Sequence, residues 1–355
     1  MPRSFMSGTH GARATAAFAT RVIAWQRQHG RHDLPWQGTR DPYRIWVSEI
    51  MLQQTQVATV IPYFARFVAR FPDVAALAGA TEEVVLTHWS GLGYYSRARN
   101  LLRAAMCVRD SHGGAFPRRF EDILALPGIG RSTAGAIASL AFGARHAILD
   151  GNVKRVLARH AGIAGPSLAT FNERMWVLAE SRLPARGVET YAQGIMDLGA
   201  TLCTRSNPSC KRCPVRSDCV AFTRGLTAAL PVVAKRKPVP RRSTTMILLT
   251  HGRDVLLERR PAPGIWGGLW SFPETDDPAG ITAICRSRLG ATVSTVEPLA
   301  AISHGFTHFS LDIRPYVAKV VGRRGKAPPG TIWMTRDEAL GSAIPVPVRR
   351  LLGAL

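Results

Sequence analysis

The sequence is poor in cysteine, in acidic residues and in long apolar runs, and each shortage excludes a class of protein. Six cysteines among 355 residues are too few for a fold held together by many disulfides. No apolar run approaches the roughly 18 residues of a membrane span. The 24 acidic residues face 46 lysines and arginines, a formal net charge of +22. Because these basic residues are spread along the whole chain, nucleic acid is a better polyanionic partner than a membrane surface.

The rest of the composition is that of a globular protein. Hydrophobic residues make up 46% of a chain long enough for two or three domains. The N-terminal residues 1–17 are small, polar and Arg-bearing and lack the apolar core of a secretory signal, so we expect a flexible tail, with a transit peptide as the alternative. The lack of signals predicts an intracellular protein of the cytoplasm or nucleoid, or of the nucleus or mitochondria in a eukaryote. A monomer is the default expectation.

Residues 18–225 and 244–355 differ in pattern, which predicts two domains. Apolar residues recur at helical spacing in the first region, for example in Val57 to Phe71 and Ala134 to Leu140. The second region has short β-type runs separated by Gly and Pro turns, such as Leu311 to Val321, and is expected to be α+β. Between them, the segment PVVAKRKPVPRRS combines prolines with basic residues, so 226–243 is predicted to be an extended linker.

Four of the six cysteines lie close together, at Cys203, Cys210, Cys213 and Cys219. One loop can wrap these thiols around one metal centre, whereas disulfides would have to join near neighbours. The spacing alone does not choose between a zinc site and a [4Fe-4S] cluster. We favour the cluster, because zinc ribbons usually contain two C-x-x-C knuckles and this run contains one. Four unliganded core cysteines are the remaining alternative.

A Gly-rich turn, Leu126-Pro127-Gly128-Ile129-Gly130-Arg131, precedes an apolar helical run. Its two glycines permit a tight turn, and the backbone N–H groups at the start of the next helix can hold a phosphate. This pattern is typical of a helix-hairpin-helix (HhH) element that binds DNA through Leu126, Gly128 and Gly130. An ordinary connection between two helices is the alternative.

Two carboxylates are candidates for catalysis. Glu49 is flanked by Trp46, Val47, Ile50, Met51 and Leu52, so burial should raise its pKa and suit it to a general acid. A salt-bridged surface glutamate is the structural alternative. Asp150 lies between an apolar stretch and the start of a helix, where an aspartate is most often an N-cap.

The layout as a whole strongly resembles the endonuclease III superfamily of DNA glycosylases. Within it, three segments are similar to the adenine DNA glycosylase (MutY) family: Ser48 to Val57, Gly91 to Asn100 and Ile148 to Arg155. The resemblance covers nearly the full chain. It implies a mainly α catalytic region with a six-helix subdomain at about 38–148 and an iron-sulfur subdomain built from 18–37 and 149–225.

The resemblance also implies roles for individual residues. Glu49 would protonate adenine, Asp150 would stabilise or trap the resulting sugar cation, and Asn152 and Ser132 would support them. The adenine would be flipped out of duplex DNA. The residues that would contact or pry open the DNA are Gln54, Thr55, Leu92, Tyr94 and Lys154, in addition to the HhH residues. Core packing is the alternative for Leu92 and Tyr94.

The C-terminal region resembles the MutT-like domain of the same family. Gly268 to Glu274 is similar to the opening of a Nudix box, but Ile281 to Leu289 has no carboxylate to hold Mg²⁺ where a Nudix hydrolase has its Glu-rich helix. We therefore expect this domain to recognise a base, 8-oxoguanine, through Phe306, Thr307 and His308. Thr307 replaces the serine of the family pattern and adds a methyl group.

Three functions remain open from the sequence. The leading one is a monofunctional glycosylase that removes adenine opposite 8-oxoguanine or guanine. An endonuclease III-like glycosylase and lyase for oxidised pyrimidines is the second, and Ser132 argues against it because lytic members have a nucleophilic lysine there. A catalytically inactive DNA-binding or redox protein with an iron-sulfur cluster is the third.

Overall fold

A computed structural model describes residues 9–164, 168–232, 238–323 and 326–355. The chain forms two compact units. Met1–Ala78 and Arg103–Lys235 make up the first, and Gly79–Leu102 and Arg236–Leu355 make up the second. In the described residues, no helix is both long and apolar enough to cross a membrane.

The first unit is helical. Its helices within the described residues are α1 (Thr9–His29), α2 (Pro42–Leu52), α3 (Val57–Arg70), α4 (Val74–Ala78), α7 (Phe120–Ala125), α8 (Arg131–Phe142), α9 (Gly151–Ala161), α10 (Leu168–Ser181), α11 (Val188–Thr201) and α12 (Val220–Thr223), with short 3₁₀ turns at Cys210–Arg212 and Arg216–Asp218. The helices predicted for Val57 to Phe71 and Ala134 to Leu140 are confirmed as α3 and α8.

One hydrophobic core of this unit lies around α9 and α11. Phe18, Leu157, Met175 and Leu198 are buried in it. Helix α8 passes very close to the chain that leads into α9, because a Cβ atom at Gly135 would lie only 2.2 Å from the carbonyl oxygen of Ala147. Only glycine allows this approach. The close packing fixes the position of the N-terminal end of α9 beside α8.

The second unit contains helix α5 (Glu82–Trp89) and a mixed sheet. Its strands are β1 (Arg241–His251), β2 (Asp254–Arg259), β3 (Trp270–Ser271), β4 (Glu274–Thr275), β5 (Ala291–Pro298), β6 (Ile302–Gly305), β7 (Ser310–Arg323) and β8 (Thr331–Thr335). The order is β3-β2-β1-β7-β5, with β4 on β1, β6 on β7 and β8 on β2. Its further helices are α13 (Ile281–Ser287), α14 (Arg336–Gly341) and α15 (Val346–Gly353). Helix α6 (Ser96–Ser111) runs from this unit into the first.

The sheet confirms the expected α+β class of the C-terminal region. Strands β1 and β7 pair in parallel along ten residues of β1, from Arg241 to Thr250. Helix α13 covers one face, where Cys285 and Leu289 pack with Ile247 and Ala318. As expected, this helix carries no carboxylate.

Residues 79–102 belong to the unit that contains the sheet, whereas the family resemblance implies a six-helix subdomain at about 38–148. The Ser90 hydroxyl donates to the carbonyl of Ile344 at 2.7 Å, and Arg99 Nη1 donates to the carbonyl of Gly267 at 2.5 Å. The Trp270 indole also donates to the Glu83 carboxylate at 3.0 Å. These bonds tie α5 and the turn after it to loops of the sheet.

Two further boundaries differ from expectation. Helix α1 begins at Thr9, so residues 9–17 are helical where a flexible tail was expected; the alanine-rich sequence here has high helix propensity. Residues 1–8 lie outside the described residues. The predicted linker 226–243 is shorter, because Leu230 is buried and β1 already begins at Arg241. Residues 233–237 of that linker also lie outside the described part.

We expect Tyr43→Phe to lower the free energy of unfolding by about 1–3 kcal/mol, because it removes a buried hydrogen bond. The Tyr43 hydroxyl donates to the backbone oxygen of Phe71 at 2.7 Å, and Tyr43 is buried. Chemical denaturation followed by circular dichroism measures the loss. Ser181→Ala removes an exposed bond to Leu178 and should change stability by less than about 0.5 kcal/mol. Equal losses of unfolding free energy in the two variants would contradict a stabilising role for the Tyr43 hydrogen bond.

Candidate active site

A cavity of about 550 Å³ in the first unit brings together the predicted catalytic residues. It is lined by Arg31, Leu34, Trp36, Glu49, Leu52, Gln53, Thr55, Gln56, Val57, Ser132, Thr133, Ile148, Asp150, Asn152, Gln193, Met196 and Ala200. The lining thus comes from α2, α8, α11, the start of α9, and the segments just before and after α2. Glu49, Asp150, Asn152, Ser132 and Thr55 meet here, although they are far apart in sequence.

Glu49 lies in α2, where it is partly buried at the edge of the cavity. Its neighbours Trp46, Val47, Ile50 and Met51 are all buried. Burial raises the pKa of Glu49 to about 8, and the negative charge of Asp150 contributes in the same direction. A pKa raised in this way favours the protonated form near neutral pH, which is the form that a general acid requires.

Asp150 is the N-cap of α9 and also lines the cavity. One carboxylate oxygen accepts from the N–H of Val153 at 2.7 Å, and the other accepts from the Asn152 amide at 3.4 Å. Burial raises its pKa, but these hydrogen bonds to the charged form oppose the rise. Asp150 can therefore both cap α9 and act in catalysis. The donors at the start of the helix favour its negatively charged form even though it is largely buried.

Ser132 occupies the first turn of α8, where a lytic glycosylase would need an amine. Its hydroxyl accepts the N–H of Leu149 at 3.0 Å. This bond holds the residue just before Asp150 against α8. Lys154 does not line the cavity, and its ammonium donates to Asn172 at 2.8 Å.

A chain of hydrogen bonds connects Asp150 with the cysteine loop. Asn152, which donates to Asp150, accepts from Arg155 Nη2 at 2.7 Å. The same guanidinium donates to the carbonyl of Gly199 and, through Nε, to the carbonyl of Cys203, each at 2.7 Å. The position of Asn152 therefore depends on the backbone at the start of the cysteine loop.

The four clustered cysteines line one small cavity and carry free thiols. Arg159 lies beside them, with Nη1 3.5 Å from Cys203 Sγ, and it also donates to the carbonyls of Thr204 and Leu230. Across the described ranges, there is no group of three or more His, Cys, Asp or Glu side chains in an arrangement that could hold a metal ion. The donor set nevertheless fits a soft metal centre, because it consists of four thiols next to a cation that stabilises thiolate charge.

The sequence analysis missed three polar or aromatic residues of the site: Arg31, Trp36 and Gln193. Together with Glu49 they line both the main cavity and a second one of about 340 Å³. The residues of the second cavity also include His32, Arg40 and Glu189. No local motif marks these side chains, because they come from the segment before α2 and from the middle of α11.

The residues predicted to contact DNA are in several environments. In the HhH turn, Gly128 has a positive φ of 79°, Gly130 is the N-cap of α8, and the Leu126 side chain is buried. Gln54 is exposed with a φ of 58°. Tyr94 is 43% exposed, whereas Leu92 is only 6% exposed. The burial of Leu92 agrees with core packing, the alternative to DNA contact for this residue. Contact with DNA stays a prediction for all of them.

In the second unit, Phe306, Thr307 and His308 line a cavity of about 570 Å³ together with Tyr94. The Tyr94 hydroxyl lies 2.9 Å from Thr307 Oγ1. Phe306 stacks on Phe309 with ring centroids 4.4 Å apart and also packs against Trp266. An aromatic wall next to two hydroxyls can hold a planar base by stacking and hydrogen bonding.

The fold and the site define a DNA glycosylase of base excision repair. A family model described as "HhH-GPD superfamily base excision DNA repair protein" matches residues 47–180, and a NUDIX domain model matches residues 244–354. The chain is similar to a solved thermostable thymine-DNA glycosylase, with a TM-score of 0.54, 28% identity and coverage of 61% of this chain and 98% of that one. An endonuclease III–DNA complex, at 19% identity and a TM-score of 0.52, covering 62% and 99%, shows the same fold.

The chain belongs to the adenine DNA glycosylase family. It is 35% identical to the adenine DNA glycosylase of Buchnera aphidicola subsp. Acyrthosiphon pisum over 338 residues, which cover 94% of this chain and 96% of that protein. It is 34% identical to the human adenine DNA glycosylase over 400 residues, 94% of this chain and 73% of that one. The resemblance inferred from the sequence is confirmed.

We expect Gly199→Ala to slow base release about tenfold or more. A Cβ atom at Gly199 would lie 2.7 Å from the Cβ and 2.9 Å from the carbonyl oxygen of Asn152, so α11 or α9 must shift. Small displacements of catalytic groups have large effects on rate. Single-turnover kinetics measure the change. Gly341→Ala, which places its Cβ in open space, is the control. An unaltered rate in the Gly199 variant would show that the position of Asn152 is unimportant.

Proposed function

We propose that this protein removes adenine paired with 8-oxoguanine or guanine in duplex DNA and that it is monofunctional. The convergence of Glu49 and Asp150 on one cavity supports this proposal more than any other observation. The raised pKa of Glu49 favours its protonated form near neutral pH, whereas Asp150 accepts hydrogen bonds that favour its charged form. Two carboxyl groups whose environments differ in this way suit acid-assisted cleavage of a glycosidic bond.

In the proposed reaction, the adenine nucleotide is flipped out of the duplex into the cavity. Glu49 donates its proton to N7 of adenine, and the bond between C1′ and N9 breaks with its electron pair going to the base. Asp150 stabilises the positive charge that develops on the sugar, or traps it as a covalent ester. Glu49, now a carboxylate, takes a proton from water as the water oxygen attacks C1′. The products are adenine and an abasic site, and both carboxyl groups return to their starting states.

A lyase step requires an amine that can form a Schiff base with the opened sugar. Ser132 stands at the position of that amine, and its hydroxyl is used by the Leu149 N–H. Among the described residues, no lysine lines the cavity. These observations favour a monofunctional enzyme over an endonuclease III-like glycosylase and lyase.

The cavity of the second unit is the proposed site for the partner base. Phe306 offers an aromatic face, while Thr307 and Tyr94 offer hydroxyl groups that can donate or accept. A hydroxyl next to a purine edge can distinguish 8-oxoguanine from guanine, because the lesion has an N–H group at N7 and a carbonyl at C8. His308 is exposed next to Thr307 and is proposed to contribute to the same recognition.

A [4Fe-4S] cluster held by Cys203, Cys210, Cys213 and Cys219 is the proposed cofactor. Such a cluster supplies a rigid structural centre and is able to carry an electron. This loop also carries four basic residues that can face phosphates, Arg205, Lys211, Arg212 and Arg216. The bond from Arg155 to the Cys203 carbonyl supports a structural role, since it ties the loop to Asn152. A redox role is the alternative.

The first test is single-turnover base release from a duplex with adenine opposite 8-oxoguanine, run beside a duplex with thymine glycol. We expect adenine release without strand breaks until alkali is added. Thymine glycol removal with spontaneous nicking would instead identify an oxidised-pyrimidine glycosylase and lyase. Lack of release from both duplexes would identify a DNA-binding protein whose carboxylates are structural.

The Asp150→Asn variant tests whether Asp150 supplies the negative charge that stabilises the sugar cation. Base release should be lost while binding to the same duplex persists, since asparagine still caps α9 but provides no negative charge. Binding is measured by fluorescence anisotropy. Asp41→Asn, which changes the N-cap of α2 and does not line the cavity, is the matched control. Wild-type turnover in the Asp150 variant would refute its role.

The rate of adenine release should fall above about pH 8. Glu49 has a pKa of about 8, so each further pH unit removes about tenfold of its acid form. At low pH the rate should fall as Asp150 takes up a proton, beginning above the usual range for aspartate because its pKa is raised. Single-turnover rates between pH 4 and 10 measure both limbs. A rate that stays constant up to pH 10 would exclude Glu49 as the acid.

A further inference from the structure

The cysteine loop is a basic segment with one carboxylate. Between Cys203 and Cys219 the chain carries four basic side chains and a single acidic one, Asp218. The basic residues are Arg205, Lys211, Arg212 and Arg216. Because like charges repel one another, closing this loop brings positive charges together. Asp218 is the one carboxylate through which the loop can form an ion pair with another part of the chain.

The cation that pairs with Asp218 comes from helix α1. Arg21 Nη2 donates to both carboxylate oxygens of Asp218, each at 2.7 Å, and Arg21 Nη1 donates to the Ser217 hydroxyl at 2.6 Å. Hydrogen bonds between charged groups are roughly twice as strong as neutral ones. The guanidinium of Arg21 therefore holds the two residues that directly precede the last of the four cysteines.

Helix α1 is itself firmly packed, so Arg21 is attached to a fixed support. Phe18 and Val22 of this helix are completely buried in the core around α9 and α11. A second contact to Asp218 comes from α9, where His160 Nε2 lies 3.2 Å from Asp218 Oδ1. The His160 ring packs edge-on against Phe18, with ring centroids 4.6 Å apart. Asp218 therefore contacts side chains of two helices that share one core.

The bonds to Asp218 act on the position of Cys219. Arg216–Asp218 forms a single 3₁₀ turn, and the N–H of Cys219 donates to the carbonyl that begins this turn at 3.2 Å. Helix α12 starts directly after Cys219. The start of the loop is held by the bond from Arg155 to the carbonyl of Cys203. The two ends of the loop are thus held by arginines from two different helices, α9 and α1.

We propose that the ion pair between Arg21 and Asp218 is a latch that keeps the cysteine loop closed and thereby retains the [4Fe-4S] cluster. This inference rests on the proposed cofactor. Local opening of a loop requires much less free energy than global unfolding, and it is sufficient to expose the ligands of a metal centre. Loss of the latch should therefore speed the release of the cluster while the helices stay folded.

The test measures how fast the folded protein loses its cluster. Wild type and Arg21→Met, both purified with the cluster, are mixed with an iron chelator, and the visible absorbance of the cluster is followed with time. Methionine keeps an apolar side chain of similar length but provides no charge. We expect cluster loss to be at least about fivefold faster in the variant. Circular dichroism before the chelator is added should match wild type, which separates opening of the loop from general unfolding.

A double-mutant cycle shows whether the two residues act through each other. Asp218→Asn removes the charge of the other partner and should speed cluster loss to a similar extent. The combination with Arg21→Met should have little further effect, because the pair is already broken. Arg21→Lys keeps the charge but not the planar set of donors, so its rate should lie between those of wild type and Arg21→Met. Independent structural contributions of the two residues would instead multiply.

The ratio of the Arg21→Met rate to the wild-type rate should also depend on salt. The Arg21 and Asp218 side chains are 31% and 43% exposed, so dissolved ions can screen the pair. The ratio should fall towards one as salt is raised from about 0.05 M to about 0.5 M. Taking the ratio removes the effect of salt on the basic side chains of the loop, which both proteins share. A contribution from packing alone would leave the ratio constant.

Arg109→Met is the matched control. Arg109 forms an ion pair with Asp110 through bonds of 2.7 and 3.0 Å, and neither residue touches the cysteine loop in the described contacts. Its rate of cluster loss should equal that of wild type. If Arg21→Met does not fold, Asp218→Asn takes its place in the same assay.

Equal rates of cluster loss in wild type and in whichever variant folds would overturn the inference. A wild-type protein that holds no iron after anaerobic purification would refute the proposed cofactor, and the inference with it. The assay follows the cluster and not the release of adenine. Its outcome is therefore separate from success or failure of the proposed glycosylase activity.

Discussion

The N-terminus of α9 is the structural element on which the proposed chemistry depends. A carboxylate is needed in a largely buried place, and burial by itself would favour its neutral form. The helix resolves this conflict, because its first N–H groups have no partner within the helix and can bind the Asp150 carboxylate. The charge held there then raises the pKa of Glu49. One helix end thus influences the protonation of both carboxyl groups.

The packing around this helix end explains why so many distant residues affect it. Ser132 binds the backbone at Leu149, just before the cap, and Asn152 lies against Gly199 and Arg155 just after it. Helices α8 and α11 therefore approach from two sides, each through a position where only glycine fits. Because such close contacts have little room to adjust, we expect the catalytic geometry to be sensitive to small changes there.

The sequence allowed the residues with local signals to be predicted. Glu49 stands among apolar neighbours that indicate a raised pKa, whereas the neighbours of Asp150 indicate an N-cap and only the family resemblance gives it a catalytic role. The cysteine cluster and the glycine turn are equally local. Arg31 and its ion-pair partner Asp197 are different, because they lie 166 positions apart and neither belongs to a motif. Only the folded chain brings them together. The grouping of residues 79–102 with the sheet escaped prediction for a related reason, since the bonds from Ser90 and Arg99 end on the backbone carbonyls of Ile344 and Gly267, groups that every residue has.

Two of the residues predicted to contact DNA share a property that the sequence alone does not reveal. Gln54 and Tyr94 both have a positive φ, at 58° and 48°, although neither is glycine. This conformation costs about 1–2 kcal/mol in an ordinary residue, so other contacts must hold it. Around Tyr94, the indole of Trp89 and the guanidinium of Arg97 both donate to the carbonyl of Gly93. A strained backbone that holds an exposed side chain outwards is typical of functional sites, and the hypothesis of DNA contact at these two residues follows from that observation.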